Sequence, residues 1–453
     1  MTHAPLALAQ LDPAGAATGD PLAVSSVPRR YVAAAVLGNA LEFYDFVTYA
    51  FFAVFIGQTF FPASSPSTSL LLSVAVFGVG FFARPLGGIF FGLYADRVGR
   101  RPTMLITMWL ITLATLGLAL TPSYATIGPA APIAVVVFRL LQGLAIGGEV
   151  GPTTAFLIEA APRRQRGLFA SFQLASQGAA AFVAGIAGVG MHMMTTPEQM
   201  ANWGWRIPFV VGLLMVPVGL HLRRRMPETL HATRSQPRAH GYTALLLHRR
   251  TVFLSVFVVL GATVSTYVVN FMTSYALSTL KLSAAVALSA TLASGLATCI
   301  FAVLGGWLSD RYGRKGVMFW PRAAASLLTV PLFMLLVSRP SAGALIFLAS
   351  VLAALTALSA AGSFAAIPEL LPASVRATGL AVAYGVGVCL FGGSTQFVVA
   401  WLTEFAGSPL MPAWYVTVTS IVTLVAMMAL PESSEQQLEV TPRGGARVAK
   451  GRG

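Results

Sequence analysis

Charge is scarce in this 453-residue sequence, and negative charge scarcest: Asp, Glu, Lys and Arg together make up 10%, with 15 acids against 29 Lys and Arg. A soluble globular domain carries roughly one-quarter charged residues, so a water-exposed fold is excluded. Only two cysteines occur, Cys299 and Cys389, both inside apolar stretches, which leaves no disulfide framework and no thiolate metal site. The histidines, at 3, 192, 221, 231, 240 and 248, fall at the ends of apolar stretches or between them. No H-E-x-x-H or clustered Cys/His is present, so neither a metal nor a cofactor is expected, and a membrane enzyme is disfavoured. The start of the chain lacks the basic residues and short apolar core of a cleavable signal.

What the sequence does have is apolar length, at 56% of all residues. Lipid offers backbone groups no water, so runs of about 20 apolar residues must be helices. Twelve are read, near 31–56, 70–95, 102–121, 131–160, 167–192, 206–224, 251–280, 283–308, 316–337, 342–370, 376–403 and 412–430. The expected fold is an all-α integral membrane protein, twelve transmembrane helices in two pseudo-symmetric six-helix halves. The divisions follow as a disordered arm over 1–30, a first bundle over 31–225, a central loop over 226–250, a second bundle over 251–431 and a tail over 432–453.

A net charge of +14 could suggest nucleic acid, but the basic residues alternate by loop. Arg29 and Arg30, Arg97 to Arg101, Arg163 to Arg166, Arg223 to Arg250, Arg311 to Arg322, Arg376 and the tail fall on one side, against Arg206, Lys281 and Arg339 on the other. This is the positive-inside bias. It places both termini and the central loop in the cytoplasm and removes the case for nucleic-acid binding.

Gly92-Leu-Tyr-Ala-Asp96-Arg97-Val-Gly99-Arg100-Arg101 recurs as Gly306-Trp-Leu-Ser-Asp310-Arg311-Tyr-Gly313-Arg314-Lys315. Glu159 to Arg166 is echoed by Glu369 to Arg376, and Pro227-Glu228-Thr229 by Pro431-Glu432-Ser433. Duplicated polar loops between apolar helices indicate two homologous halves, an arrangement found in secondary transporters.

The G-x-x-x-D-R-x-G-R-[RK] loop resembles the signature of the major facilitator superfamily. GNALEFYDF from Gly38, ARPLGG from Ala83, RLLQGLAIGGE from Arg139 and WGWRIPF from Trp203 resemble its metabolite:proton symporters. That resemblance implies a proton-driven importer of a small organic anion, a di- or tricarboxylate, in the bacterial inner membrane, working as a monomer by alternating access. The alternative it leaves is import of a zwitterionic compatible solute such as proline or betaine. A drug/proton antiporter is less favoured, because the Gly-Pro motif usual in its helix 5 is missing from 167–192.

An ionisable group at the bilayer centre is functional by default. At 1.5 Å per residue, Glu42 comes out about 17 Å deep, Asp45 about 21 Å, and Arg84 and Glu149 about 15 Å. Glu42, Arg84 and Glu149 are therefore expected to form a midplane triad. Arg139 is expected to reach Asp45, a pair the resemblance links to proton coupling. Arg322, about 9 Å from the edge, can snorkel out. Candidate substrate contacts are Arg84, Asn39, Gln173, Gln177, Tyr267, Asn270 and Gln396. Two latches are expected at the cytoplasmic helix ends, Asp96, Arg97, Arg100, Glu159 and Arg166 in one half, and Asp310, Arg311, Arg314, Glu369 and Arg376 in the other.

Overall fold

The computed structural model describes residues 28–63, 65–98, 100–224, 248–371 and 376–433. Helix α1 (Arg29–Phe51) bends by 67° at Phe52 and continues as Ala53–Phe60. There follow α2 (Pro66–Arg97), α3 (Arg100–Leu120), α4 (Ala130–Ala160), α5 (Arg166–Met194) and α6 (Ile207–Arg224). The second half holds α7 (Arg249–Ser278), α8 (Ala284–Tyr312), α9 (Arg314–Ser338) and α10 (Ala342–Glu369). Helix α11 runs as Arg376–Gly387, a π turn over Val388–Gly392 and Gly393–Ala406, and α12 is Met411–Ala429. No strand occurs among the described residues.

Among the described residues eleven helices are long and apolar enough to cross a membrane, twelve with the bent first pair counted as one span. All twelve expected runs are met. The arm, the central loop and the tail lie outside the described residues apart from their edges. Leu86, Phe90, Leu120, Trp320, Leu327 and Phe405 are exposed, which suits a surface solvated by lipid and not by water.

The halves meet along α5 against α8 and along α2 against α11. The π turn in α11 was not foreseen. It brings Gly392 and Gly393 against Tyr267 and Phe81, and such single turns recur at functional sites. At the end carrying the duplicated loops, Gly313 separates α8 from α9 with φ 90°. Only glycine adopts that conformation without strain, which accounts for the glycine in the D-R-x-G-R pattern.

Candidate functional site

Two of the three buried acids among the described residues share one arginine, but it is not the one expected. Arg223, near the end of α6, runs inward past Gly38, where a Cβ would stand 2.7 Å from the guanidinium carbon. Its Nη1 donates to Glu42 Oε1 at 2.9 Å and to the Met104 carbonyl at 2.9 Å, and its Nη2 donates to Glu149 Oε1 at 2.6 Å. Thr153 and Thr107 donate to the two oxygens of Glu149 at 2.7 and 3.1 Å. All three ionic side chains are at most 2% exposed. The expected triad with Arg84 is thus corrected: depth alone does not fix the face of a helix, and Arg84 points elsewhere. Arg223 had looked like one more loop-end charge.

Asp45 and Arg139 do not touch. Thr115 Oγ1 donates to Asp45 Oδ2 at 3.0 Å, Gln142 Nε2 donates to Thr115 Oγ1 at 2.9 Å, and Arg139 Nη1 donates to Gln142 Oε1 at 2.7 Å. The direct ion pair expected is replaced by a relay across α1, α3 and α4, because Gln142, one turn along α4, intercepts the guanidinium. Asp45 Oδ1 has no hydrogen-bond partner among the described residues. Thr115 and Gln142 went unassigned in the sequence, although Gln142 stands inside the helix-4 motif.

Arg84 lies over the rings of Phe81 and Phe46, at 4.0 and 4.4 Å from their centroids. None of its three guanidinium nitrogens makes a hydrogen bond of good geometry among the described residues, the Tyr267 hydroxyl being close enough only for a weak one. Arg139 stacks nearby on Tyr49, Phe77 and Phe46. Tyr267 of α7 packs on Phe81 and Phe46 with centroids 5.0 and 6.3 Å apart, and its hydroxyl lies within electrostatic reach of both arginines. Aromatic side chains of both halves therefore form one plug holding two buried cations.

Beside the plug open two adjoining cavities of about 580 and 620 Å³, which share Leu174, Gln177, Thr266 and Tyr267. Ser363 and Tyr384 line the first, Asn270 and Thr298 the second. Gln177, Tyr267 and Asn270 are thus among the residues lining these cavities. Asn39 and Gln173 do not line the cavities. They bond each other at 2.9 Å, and Asn39 also donates to Ser176 Oγ at 2.6 Å, tying α1 to α5. Gln396 is buried outside both linings.

At the loop end, Asp310 of α8 accepts the backbone amides of Gly167 and Leu168 at 2.8 Å each. These amides open α5, whose N-terminal partial charge favours an anion. Arg314 donates to Asp310 Oδ1 at 2.7 Å and grips both oxygens of Glu369 at 3.1 and 3.0 Å. Glu432 accepts the amides of Arg314 and Lys315 at 2.9 Å each, and Ser433 donates to Glu369 at 3.0 Å. The echo Pro431-Glu432-Ser433 thus has a structural purpose that the repeat alone did not reveal. Arg311 is a correction: it is exposed and lies over Trp307 and Tyr312, away from this cluster. The side chains of Asp96, Arg97, Arg100, Glu159 and Arg376 lie outside what is described, and Arg166 begins α5 beside the amides that Asp310 accepts.

Arg322 is likewise corrected. It is fully buried, donating from Nη1 to the Gly261 carbonyl at 3.0 Å and to Ser265 Oγ at 2.8 Å, so it does not snorkel.

Residues 35–393 match the family described as Major Facilitator Superfamily. A citrate-proton symporter of Klebsiella pneumoniae is 35% identical, over 89% of this chain and 91% of that protein. A proline/betaine transporter of Salmonella typhimurium is 32% identical, over 91% and 85%. The fold is shared with the xylose transporter of E. coli in a partially occluded inward-open conformation, at TM-score 0.74 and 17% identity, covering 91% of this chain and all of that one. The chain belongs to the major facilitator superfamily and, within it, to the metabolite:proton symporters.

Proposed function

We propose that the protein is a proton-coupled importer of a small di- or tricarboxylate. The observation that supports this is the pair of buried guanidiniums, Arg84 and Arg139, neither of which meets a carboxylate among the described residues, beside a polar cleft. A buried charge without a counter-charge is costly. An anionic solute that moves Tyr267 aside supplies the missing charge, and Gln177, Asn270 and Tyr267 hold its remaining oxygens. A zwitterion such as betaine carries no net negative charge and so leaves this excess positive charge uncompensated, although Phe43, Phe364 and Tyr384 offer aromatic faces along the cavities. The names of the relatives do not decide between the two, since citrate and proline/betaine transporters match at similar identity.

Asp45 is the proton site, reporting to Arg139 through Thr115 and Gln142. The bundles over 31–225 and 251–431 rock about this midplane site. The Asp310–Arg314–Glu369 cluster, with Arg376, and the latch of Asp96, Arg97, Arg100, Glu159 and Arg166 in the other half together hold one end shut. The protein acts as a monomer in the bacterial inner membrane with both termini cytoplasmic. The test is uptake into proteoliposomes under an imposed pH gradient, offering citrate, 2-oxoglutarate, proline and betaine separately. Accumulation of a carboxylate is expected; accumulation of betaine or proline alone refutes the reading.

A further inference from the structure

We infer that Glu42 is a second proton-binding carboxyl, distinct from Asp45, held by the fixed ion pair Arg223–Glu149. The argument begins with charge. Two carboxylates and one guanidinium, all at most 2% exposed, sum to −1 when every group is ionised, and one proton brings the cluster to neutrality. An uncompensated charge in a site this dry is costly.

Hydrogen bonding then says which acid takes the proton. Glu149 accepts from Arg223 and Thr153, and the single hydroxyl hydrogen of Thr107 is shared between it and the Met104 carbonyl, a donor set that suits an ionised carboxylate. Among the described residues Glu42 accepts only from Arg223. Among the described residues the other elements add no competing charge: α3 supplies Thr107 and the Met104 carbonyl, and the remaining ionisable group nearby is Asp45, one turn along α1. When the proton leaves Glu42 for water, Arg223 stands between two carboxylates; when it returns, Arg223 and Glu149 are left as a neutral pair.

The cluster also has a route to the cleft. One turn before Glu42, Asn39 bonds Gln173 and Ser176 of α5, and Gln177, one turn further, lines both cavities. A change of charge on Glu42 therefore acts on a helix that touches the solute, and protonation there can be linked to transport.

Infrared difference spectroscopy across a pH titration of the purified full-length protein tests the assignment without a substrate, since the C=O stretch of a protonated carboxyl is read directly. Water-exposed acids cancel between variants. Asp45→Asn is expected to keep a titrating buried carboxyl band, and adding Glu42→Gln to remove it. Adding Glu149→Gln instead leaves Arg223 to hold Glu42 ionised and removes the same band, which covers the case that Glu42→Gln does not insert. A band that survives both additions, or no band in Asp45→Asn, overturns the inference. The transport consequence rests on the proposed symport. With citrate in proteoliposomes at zero membrane potential, the logarithm of the accumulation ratio at zero net flux is plotted against imposed pH difference. Its slope should fall by one in Glu42→Gln while exchange continues, and an unchanged slope counts against Glu42. If wild type moves no citrate, the carboxylate reading fails and the infrared result alone judges Glu42.

Discussion

Asp310 and Gly167 belong to opposite halves of the chain, and the carboxylate of one accepts the backbone amide of the other at 2.8 Å. Charge-assisted hydrogen bonds of this kind contribute about 1.5–3 kcal/mol each. Asp310→Asn should therefore shift the balance between closed and open conformers by roughly 10- to 100-fold. Ser363 lines the first cavity, so a Ser363→Cys reporter in a protein with Cys299 and Cys389 replaced reads the opening. Alkylation by an impermeant reagent added at the loop side should speed up in Asp310→Asn, with membrane insertion unchanged. Equal rates in both backgrounds would remove Asp310 from the gate.

Arg84 offers a sharper test of the substrate class. With no counter-ion among the described residues, its charge is available to a solute carboxylate, and losing that bond should weaken citrate binding by roughly 10- to 100-fold. Arg84→Gln keeps polarity without charge, and Arg84→Lys keeps charge without the planar fork that stacks on Phe81 and Phe46. Both should raise the half-saturation concentration, Gln more than Lys. If proton-driven citrate uptake in Arg84→Gln keeps the wild-type half-saturation, the anion binds elsewhere.

Most of the architecture was legible because the membrane imposes it: apolar length gave twelve spans, and the repeated loop gave two halves. The partners of the buried charges were less so. Rise per residue gives depth, and depth placed Glu42, Arg84 and Glu149 at one level, but azimuth and side-chain reach decided the pairing. Arg223 sits where a positive-inside charge is expected, so its sequence position resembled that of a loop arginine, although the side chain turns inward past Gly38. Neutral links are harder still to foresee. Thr115 and Gln142 matter because an acid and an arginine stop short of each other, a fact of packing that no spacing along the chain encodes.

Topology yields a prediction independent of chemistry. Twelve spans would put the basic loops on one side with the central loop and both termini, and the positive-inside bias predicts that this side is cytoplasmic. Reporter fusions at Gly241 and Gly453 should read cytoplasmic and one at Thr126 periplasmic. A periplasmic signal at Gly241 would invert the gate assignment, because the Asp310 cluster would then close the outer mouth.

The relay from Asp45 to Arg139 predicts a phenotype that a direct ion pair would not. Asp45→Asn mimics the protonated acid and should abolish accumulation driven by a pH gradient while preserving citrate exchange across equilibrated membranes. Thr115→Val removes the hydroxyl that both accepts from Gln142 and donates to Asp45, at nearly constant volume and without touching any charge. If Asp45 reports to Arg139 through that hydroxyl, Thr115→Val should lower the accumulation ratio toward that of Asp45→Asn and leave exchange close to wild type. The lost bonds are each worth about 0.5–3 kcal/mol, so a partial loss of coupling, not complete inactivation, is the expected size of effect. Should Thr115→Val accumulate citrate as well as wild type while Asp45→Asn does not, then proton and arginine communicate by charge alone and the hydroxyl is only packing.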